Sequence, residues 1–323
     1  MTRPIVLTCG EPAGVGPEVA AAAWAALDGE VPLVWIGDPS HLPDGVPVTR
    51  ISSLAETAPA GRLAVLARDF GPPRVPGLPD PAHAQSVIDV IAEAVRLCQS
   101  GEASAMVTAP IHKAALMTGA GFAHPGHTEY LAHLAGLPPD RPAVMMLACP
   151  ALRVVPTTIH IPLSDVPSAL TADLLRHTIT VTHAALGRDF ALPAPRLAVA
   201  GLNPHAGEDG KIGTEDRDLI APVLDTLRAE GMDIAGPLSA DTMFHPAARA
   251  RYDAAIAMYH DQALIPIKTI DFASGVNVTL GLPFVRTSPD HGTAFDIAGK
   301  GVADPTSTIA AIRLAAQMAA ARG

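Results

Sequence analysis

The first segment of the chain already indicates the kind of fold to expect. Residues 4–27 read PIVLTCGEPAGVGPEVAAAAWAAL. A short apolar run leads into a glycine-rich turn, and Pro17 then suits the first turn of a long alanine-rich helix. A strand, a tight turn and a helix in this order are typical of proteins in which parallel strands alternate with helices. The segment therefore predicts an α/β fold.

The same alternation of short apolar runs and longer amphipathic segments continues along the chain. The predicted strands are 4–9, 32–37, 63–67, 103–108, 143–148, 153–159, 196–200, 252–258 and 276–280. The predicted helices are 16–27, 84–99, 171–186, 215–230 and 304–321. No flexible linker separates one half of the chain from the other, so we expect two α/β lobes with largely parallel sheets in a discontinuous arrangement.

Composition excludes several functional classes. The chain has 323 residues, of which 49% are hydrophobic, enough for one large core or two joined lobes. A net charge of -10 with 4% aromatic residues argues against nucleic-acid binding. Three cysteines without paired spacing predict neither disulfides nor a zinc ribbon. Apolar runs are shorter than the roughly 18 residues of a membrane span, so we expect a soluble, cytoplasmic protein.

Two glycine-containing turns are candidate ligand sites. The segment GEPAGVGPE at 10–18 lacks the G-x-G-x-x-G spacing, and it fits either a tight strand-to-helix turn or a close approach of ligand to backbone. The segment HPGHTE at 124–129 precedes an amphipathic run, and either His127 or Thr128 suits its N-cap. A helix start with a hydroxyl and an imidazole fits a phosphate site as well as an ordinary capping turn.

Three histidines share one sequence context. His160, His205 and His260 each follow a predicted strand. Ligands of open α/β sheets bind outside the carboxyl ends of the strands, so three imidazoles placed there can converge on one metal ion. The intervals between them match no short metal motif, and a histidine at a strand end is also a common structural residue. Asp261, next to His260, is suited to orient an imidazole or to accept a proton.

Polar residues that interrupt later apolar segments suggest an anion site. Lys268, Asn277 and Arg286 together would suit a phosphate or carboxylate, and Arg286 can grip such a group with two N–H donors. Taken singly, each also fits a surface position or an ion pair. The glycine-punctuated loop at 288–305 is a candidate for holding a cofactor against exposed backbone.

Several long motifs now identify a family resemblance. In order along the chain they are GEPAGVGPE at 10–18, TAPIHK at 108–113, GHTE at 126–129, LNPHAGE at 202–208, GPLSADTMF at 236–244, YDAAIAMYHDQALIPIK at 252–268 and VNVTLGLPFVRTSPDHGTAFDIAGKG at 276–301. Through these the chain resembles the 4-hydroxythreonine-4-phosphate dehydrogenase family over essentially its whole length. Its two ends are also similar to the wider isocitrate and isopropylmalate dehydrogenase group.

The resemblance implies an isocitrate/isopropylmalate dehydrogenase-like fold and a homodimer with its active sites at the subunit interface. It implies a cofactor lobe at 1–110 with 262–323, and a lobe for dimerisation, metal and substrate at 111–261. Phe295 stands where proline or leucine is expected in the late loop. The implied site residues are His160, His205 and His260 as metal ligands, with His260 contributed by the partner subunit; His127, Thr128, Lys268, Asn277 and Arg286 for substrate; and His291, Gly292, Thr293 and Asp296 for the cofactor.

The implied activity is the oxidation of a small phosphorylated amino-acid substrate, 4-phosphooxy-L-threonine, with NAD as cofactor and NADP as the alternative. The implied divalent metal is zinc, with magnesium or cobalt as alternatives, and Lys268 and Asp241 are the candidates for proton transfer. Relatives with the same skeleton oxidise four-carbon sugar-acid phosphates or cis-dihydrodiols, so those substrates stay open. A non-catalytic metal-binding module would be expected to lose a histidine or the cofactor loop, and this sequence retains both.

Overall fold

The computed structural model describes residues 3–27 and 29–323. It is built of alternating strands and helices, which confirms the predicted α/β class. Met1 and Thr2, which precede the first predicted strand, and Asp28, within the predicted lobe 1–110, lie outside the described residues.

The elements are numbered in chain order. The strands are β1 (Ile5–Thr8), β2 (Leu33–Gly37), β3 (Val48–Ile51), β4 (Leu63–Ala67), β5 (Ala105–Thr108), β6 (Val144–Cys149), β7 (Leu152–Pro156), β8 (Arg196–Ala200), β9 (Asp233–Leu238), β10 (Ala254–Ala257), β11 (Val276–Leu280) and β12 (Arg286–Pro289). The helices are α1 (Gly16–Leu27), α2 (Ala84–Gln99), α3 (Lys113–Ala120), α4 (His127–Leu134), α5 (Val166–Ala169), α6 (Ala172–Asp189), α7 (Ala221–Ala229), α8 (Pro246–Arg249), α9 (His260–Ile270) and α10 (Thr306–Arg322).

The chain forms two compact units. Unit 1 contains the described residues up to 143 together with 282–321 and 323, and unit 2 contains 144–281 and 322. The lobe boundaries expected from the resemblance, 110/111 and 261/262, stay a prediction. The two units begin and end later in the chain, because α3 and α4 pack on α2 and because α9 packs on β7, β6 and β10. The cofactor and dimerisation roles assigned to the lobes stay predictions.

Unit 1 has a parallel sheet in the order β3-β4-β2-β1-β5-β12. β1, β2 and β5 are buried along their whole length, as expected for central parallel strands covered by helices on both faces. α2 has a regular amphipathic spacing, and its buried face includes Val87, Val90, Ile91 and Ala94. The carboxyl ends of β1, β5 and β12 therefore emerge side by side from a rigid core.

Unit 2 has a mixed sheet in the order β11-β6-β7-β10-β8-β9. The pairs β11/β6 and β6/β7 are antiparallel, whereas β7, β10, β8 and β9 run parallel. Its core contains the inward side chains of these strands and the buried face of α9, including Leu264 and Ile267. The carboxyl ends of β7, β10 and β8 lie next to one another at one edge of the sheet.

Three strands and four helices of the described residues were not predicted. β3 and β9 are edge strands with alternating or mixed polarity, and β12 reads RTSP although all four residues are buried. α3, α5 and α8 are short, and α9 contains Pro266, which normally argues against a helix interior. Each of these departs from the simple apolar periodicity on which the prediction rested.

No helix in the described part of the chain is both long and apolar enough to cross a bilayer.

Candidate active site

The three histidines follow adjacent strands of unit 2. His160 comes four residues after β7, His205 five residues after β8, and His260 three residues after β10, where it begins α9. Because β10 pairs in parallel with both β7 and β8, the three segments leave the same edge of the sheet. This is the edge at which ligands bind in open α/β sheets, as the sequence argument assumed.

His160 and His260 are neighbours in one chain, with ring centroids 5.7 Å apart. They line a cleft of about 310 Å³ together with residues of the segments around them, namely Thr158, Ile159, Ile161, Leu163, Val166, Tyr259 and Asp261. The Nδ1 atom of His260 lies 2.8 Å from Oδ1 of Asp261. A carboxylate only accepts hydrogen bonds, so Nδ1 carries the proton and Nε2 presents the lone pair.

Two of the histidines have unusual backbone conformations. His160 has φ 47° and His205 has φ 53°, both in the left-handed region that non-glycine residues seldom adopt. His205 begins a run of five consecutive left-handed residues, 205–209. Such a conformation costs about 1–2 kcal/mol per non-glycine residue, and it is found most often at functional sites.

The donor set fits a divalent ion that prefers nitrogen ligands, because imidazole suits zinc and cobalt better than magnesium. The geometry within one chain is less complete. Among residues 3–27 and 29–323, no group of three or more His, Cys, Asp or Glu side chains lies close enough to hold a metal ion. The structure therefore brings His160 and His260 together but does not gather all three histidines in one chain, and the ligand set stays a prediction.

Unit 1 contains a buried basic group near a partly buried imidazole. Arg286, at the start of β12, is 4% exposed, and its Nε and Nη2 atoms donate to Oγ1 of Thr108 at 3.1 and 2.6 Å. Burial lowers the pKa of Arg286 to about 10, so the side chain stays charged at neutral pH. Burial, and then the nearby charge of Arg286, hold the pKa of His127 well below its usual value. A cation beside a neutral imidazole favours an anionic ligand.

His127 also marks the start of α4. The N-cap is Gly126, so neither His127 nor Thr128 caps the helix as the sequence suggested. Nε2 of His127 is buried and has no hydrogen-bond partner in the described part of the chain. Glycine has no side chain to occupy the N–H groups of the first turn, which therefore add to the positive potential of this site.

Three further predicted residues lie in unit 2. Lys268 is on α9, where its Nζ sits 5.2 Å from the centroid of the exposed Phe272 ring. Asn277 is on β11, and its buried Oδ1 has no hydrogen-bond partner among the described residues. Asp241, in a short turn after β9, accepts a hydrogen bond from Oγ of Ser239 at 2.7 Å. The proton-transfer roles of Lys268 and Asp241 stay predictions.

The predicted cofactor loop packs against the glycine-rich turn at the start of the chain. Val15 N donates to Thr293 O at 3.0 Å, and a Cβ on Gly14 would lie 2.8 Å from that same oxygen. The carboxylate of Glu18 accepts hydrogen bonds from Gly299 N and, at 3.2 Å, from Gly301 N. The unexplained glycine motif at 10–18 thus supports the loop at 291–301, and Gly14 permits their close approach.

Within this loop, Nδ1 of His291 lies 2.9 Å from Gly292 O, and its buried Nε2 has no partner in the described residues. Asp296 is exposed, as expected of a residue that would meet a ligand. Phe295, the departure from the expected motif, packs edge-to-face on His112 with ring centroids 5.0 Å apart. The substitution is therefore accommodated by a specific contact.

Sequence reasoning missed several polar residues that organise these segments. Thr108 was quoted only as part of a motif, yet it accepts two hydrogen bonds from Arg286. Glu11 is 2% exposed, and burial raises the pKa of its carboxyl. Asp216 and Gln262 bond to backbone groups near the histidines. The signal available for each was a polar residue at the end of a strand, in a turn or at the start of a helix, but for Thr108, Asp216 and Gln262 a bonded partner lies far away in sequence.

A larger cavity, of about 730 Å³, lies in unit 1 near the amino ends of the strands, where its lining includes Pro4, Leu33 and Ala64. None of the predicted site residues line it. Since ligands of such sheets bind beyond the carboxyl ends, its size alone does not make it the active site.

Comparison with solved structures first identifies the fold. The fold is shared with a β-decarboxylating dehydrogenase from Thermococcus kodakarensis, with a TM-score of 0.50 and 14% identity over 96% of this chain and 81% of that one. At this identity the likeness shows the fold alone, and it confirms the predicted dehydrogenase-like architecture. The family is more specific. The chain belongs to the family described as pyridoxal phosphate biosynthetic protein PdxA, whose model matches residues 30–315.

Individual relatives agree with this assignment. The chain is 65% identical to a 4-hydroxythreonine-4-phosphate dehydrogenase from Roseobacter denitrificans over 321 residues, which cover 99% of this chain and 98% of the relative. The crystal structure of a 4-hydroxythreonine-4-phosphate dehydrogenase from Klebsiella pneumoniae matches with a TM-score of 0.90 and 38% identity, over 100% of this chain and 99% of that one. The resemblance found in the sequence is confirmed, as is the prediction of an oxidoreductase of this family.

Proposed function

We propose that this protein oxidises 4-phosphooxy-L-threonine to 2-amino-3-oxo-4-phosphooxybutanoate with NAD as the acceptor and a divalent metal ion as the activator. The product is a 3-oxo acid, which loses carbon dioxide to give 3-amino-2-oxopropyl phosphate. The observation that carries the proposal is 65% identity, across nearly the whole chain, to a relative named for this substrate. The geometry of both units is consistent with it.

The phosphate is assigned to unit 1. Arg286 is a buried cation, and His127 is a partly buried neutral imidazole in the first turn of α4, whose N–H groups are further donors. Thr128 lies in the first turn of α4, where its hydroxyl and backbone N–H add further donors. Thr108 holds the guanidinium in place through two hydrogen bonds. These groups would bind and orient a doubly charged phosphate.

The reacting end of the substrate is assigned to the three histidines and the metal ion that they would hold. His160, His205 and His260 would hold the metal ion, and Asp261 orients the ring of His260. When bound, the metal ion supplies Lewis acidity that lowers the pKa of the substrate hydroxyl, and NAD supplies the hydride acceptor. Lys268 and Asp241 are proposed to move the hydroxyl proton and the later proton on carbon, and Asn277 to contact substrate through its buried carbonyl oxygen.

NAD is assigned to the loop that contains His291, Gly292, Thr293 and Asp296. The glycine-rich turn at 10–18 fixes this loop through Val15 and through the carboxylate of Glu18. The exposed carboxylate of Asp296 would accept hydrogen bonds from ribose hydroxyls and would repel the extra phosphate of NADP. NAD is therefore the proposed acceptor.

A second copy of the chain is proposed to complete the site. Several large apolar side chains are exposed in the same unit 2 segments that carry the predicted ligands: Ile161 is 38% exposed, Leu163 68%, Ile212 39%, Ile265 64% and Phe272 78%. Exposed apolar groups concentrated in this way are typical of an interface. We propose a homodimer in which residues near this surface, with His260 as the ligand named by the resemblance, contribute to the partner's site.

The reaction is tested with purified protein and a matched substrate set. NADH formation is followed with 4-phosphooxy-L-threonine, erythronate 4-phosphate, threonate 4-phosphate and a cis-dihydrodiol, each with NAD or NADP and with zinc, cobalt or magnesium. We expect the highest kcat/KM with 4-phosphooxy-L-threonine and NAD. A higher kcat/KM with either sugar-acid phosphate would assign the protein to that substrate class instead. Light scattering on the same preparation tests the homodimer.

A further inference from the structure

Backbone hydrogen bonds tie together two of the segments that carry the predicted metal ligands. Thr158, two residues before His160, donates to Met258 O through both its backbone N at 3.1 Å and its Oγ1 at 2.8 Å. Met258 is two residues before His260. The spacing of these two segments is therefore fixed by bonds within the sheet edge, which accounts for the neighbouring rings of His160 and His260.

Gln262 extends this connection to the third segment. Its Oε1 accepts a hydrogen bond from Met258 N at 2.7 Å, and its Nε2 donates to Gly201 O at 2.8 Å. Gly201 lies four residues before His205. An amide is needed here, because one atom must accept and the other must donate. Gln262 thereby links the segment before His260 to the segment before His205.

Asp216 anchors the same segment from the other side. This side chain is 1% exposed, and its Oδ1 accepts from Leu202 N at 2.8 Å. Its Oδ2 accepts from Asn203 N at 3.1 Å and from Asn203 Nδ2 at 2.9 Å. A buried carboxylate with three donors makes charge-assisted hydrogen bonds, which are stronger than neutral ones.

The left-handed turn at 205–209 begins two residues after Asn203 and lies against the side chain of Asp216. A Cβ on Gly207 would lie 3.3 Å from Oδ2 of Asp216, and a Cβ on Gly201 would lie 2.6 Å from Oδ1. Left-handed backbone in non-glycine residues persists only where the surrounding structure imposes it. Asp216 supplies that constraint at the point where the turn starts, so it sets the position of His205.

We propose that Gln262 and Asp216 are positioning residues of the metal site, which together hold His205 at a fixed place relative to His160 of the same chain. This inference rests on the proposed function, in which the three histidines bind the metal ion. Removing groups that hold metal ligands typically weakens metal binding by about 10- to 100-fold. We expect losses in that range for each residue, with the ligands themselves unchanged.

The test measures cobalt binding to the full-length protein, independently of turnover. The variants are Gln262→Met, which removes both amide hydrogen bonds, and Asp216→Asn, which keeps the size but turns one acceptor into a donor. Asp218→Asn is the matched control, since Asp218 lies in the same helical turn, is 53% exposed and pairs with Arg217. Cobalt affinity is measured by competition with a chelator and by the visible absorption of the bound ion.

We expect the cobalt Kd to rise about 10- to 100-fold in Gln262→Met and Asp216→Asn and to stay at the wild-type value in Asp218→Asn. The cobalt concentration for half-maximal activity should rise in parallel, while kcat at saturating cobalt and the KM for NAD change less. The unfolding midpoint of the metal-free proteins separates this effect from a general loss of stability. If Asp216→Asn does not fold, Gln262→Met, a change at a partly buried side chain, decides the question.

His205→Ala distinguishes a failure of the proposed metal site from a failure of the positioning role. If wild-type protein binds cobalt and His205→Ala loses it, but Gln262→Met binds as tightly as wild type, the metal site stands and the positioning role is wrong. If His205→Ala binds cobalt with wild-type affinity and spectrum, the proposed metal site itself is wrong, and the positioning role is overturned with it.

Discussion

Burial of His41 should make the protein less stable as the pH falls through the mildly acidic range. His41 is 1% exposed in unit 1, with ring centroids 5.1 Å from Phe70 and 5.5 Å from His83. Burial lowers its pKa from 6.5 to about 4; Asp38 opposes this shift, while His83 and Arg74 add to it. The folded state therefore keeps His41 neutral at pH values where the unfolded chain would take up a proton.

The sign and size of this change in stability follow from the linkage between protonation and folding. The contribution of His41 to stability is fully present above about pH 6.5, and it is lost as the pH falls towards 4, where both states are protonated. A pKa lowered from 6.5 to about 4 corresponds to a loss of about 3 kcal/mol in total and about 2 kcal/mol by pH 5. His127 acts in the same direction, whereas the raised pKa of Glu11 acts in the opposite one.

The contribution is isolated by comparing wild type with His41→Phe in urea unfolding at about pH 7.5 and about pH 5. His127 and Glu11 are common to both proteins, so their effects cancel in the comparison. We expect wild type to lose about 2 kcal/mol more than His41→Phe between these pH values. His245→Gln, at an exposed position, should behave as wild type. Equal losses in wild type and His41→Phe would refute the assignment to His41.

Three further predictions concern the proposed site. In Gly14→Ala the new Cβ meets Thr293 O, so the KM for NAD should rise about 10-fold. Gly187→Ala, where the new Cβ makes only ordinary contact, should leave this KM unchanged. An unaltered KM in Gly14→Ala would argue against the loop as the cofactor site. Thr108→Val removes the acceptor of two Arg286 hydrogen bonds, at a cost of about 1–3 kcal/mol. In steady-state kinetics, kcat/KM should therefore fall about 10-fold or more for the phosphorylated substrate. It should not fall for the unphosphorylated analogue. Dialysis against a chelator should abolish turnover and added zinc or cobalt should restore it, whereas full activity in metal-free protein would contradict the metal-dependent mechanism.

The sequence was informative where local chemistry alone determines an element. The bounds of α1 and α2 agree with the predicted helices 16–27 and 84–99. The segment of α1 is rich in alanine and follows Pro17, and the segment of α2 is strongly amphipathic. Both patterns strongly favour a helix over other secondary structures. The positions of the central parallel strands were also predictable, because strands buried on both faces read as continuous apolar runs.

Elements that carry the site were harder to predict, and for a physical reason. β12 is polar yet buried, because Arg286 and Thr287 are bonded to groups distant in sequence, Thr108 and the carbonyl of Ala311. α9 contains Pro266 but is held by packing of Leu264 and Ile267 on the sheet. In both cases tertiary contacts override local preference, and those contacts join residues far apart in sequence.

The candidate site was predictable in its residue types but not in its geometry. Three histidines after three strands were visible, and the structure shows that those strands are adjacent. The left-handed backbone at His160 and His205 was not predicted, since neither position holds the glycine that most often adopts this conformation. The side chains bonded to the segment before His205 lie at 216 and 262, outside any local pattern.

Backbone strain gives an argument for the metal site that is independent of the family. Four non-glycine residues in the turn at 205–209 are left-handed, at about 1–2 kcal/mol each, so the turn costs an appreciable share of the 5–15 kcal/mol by which a typical protein is stable. A buried carboxylate with three donors is maintained at the start of this turn. An ordinary connection from β8 to α7 requires neither. Presentation of the His205 imidazole at the edge shared with His160 and His260 explains why the chain retains both.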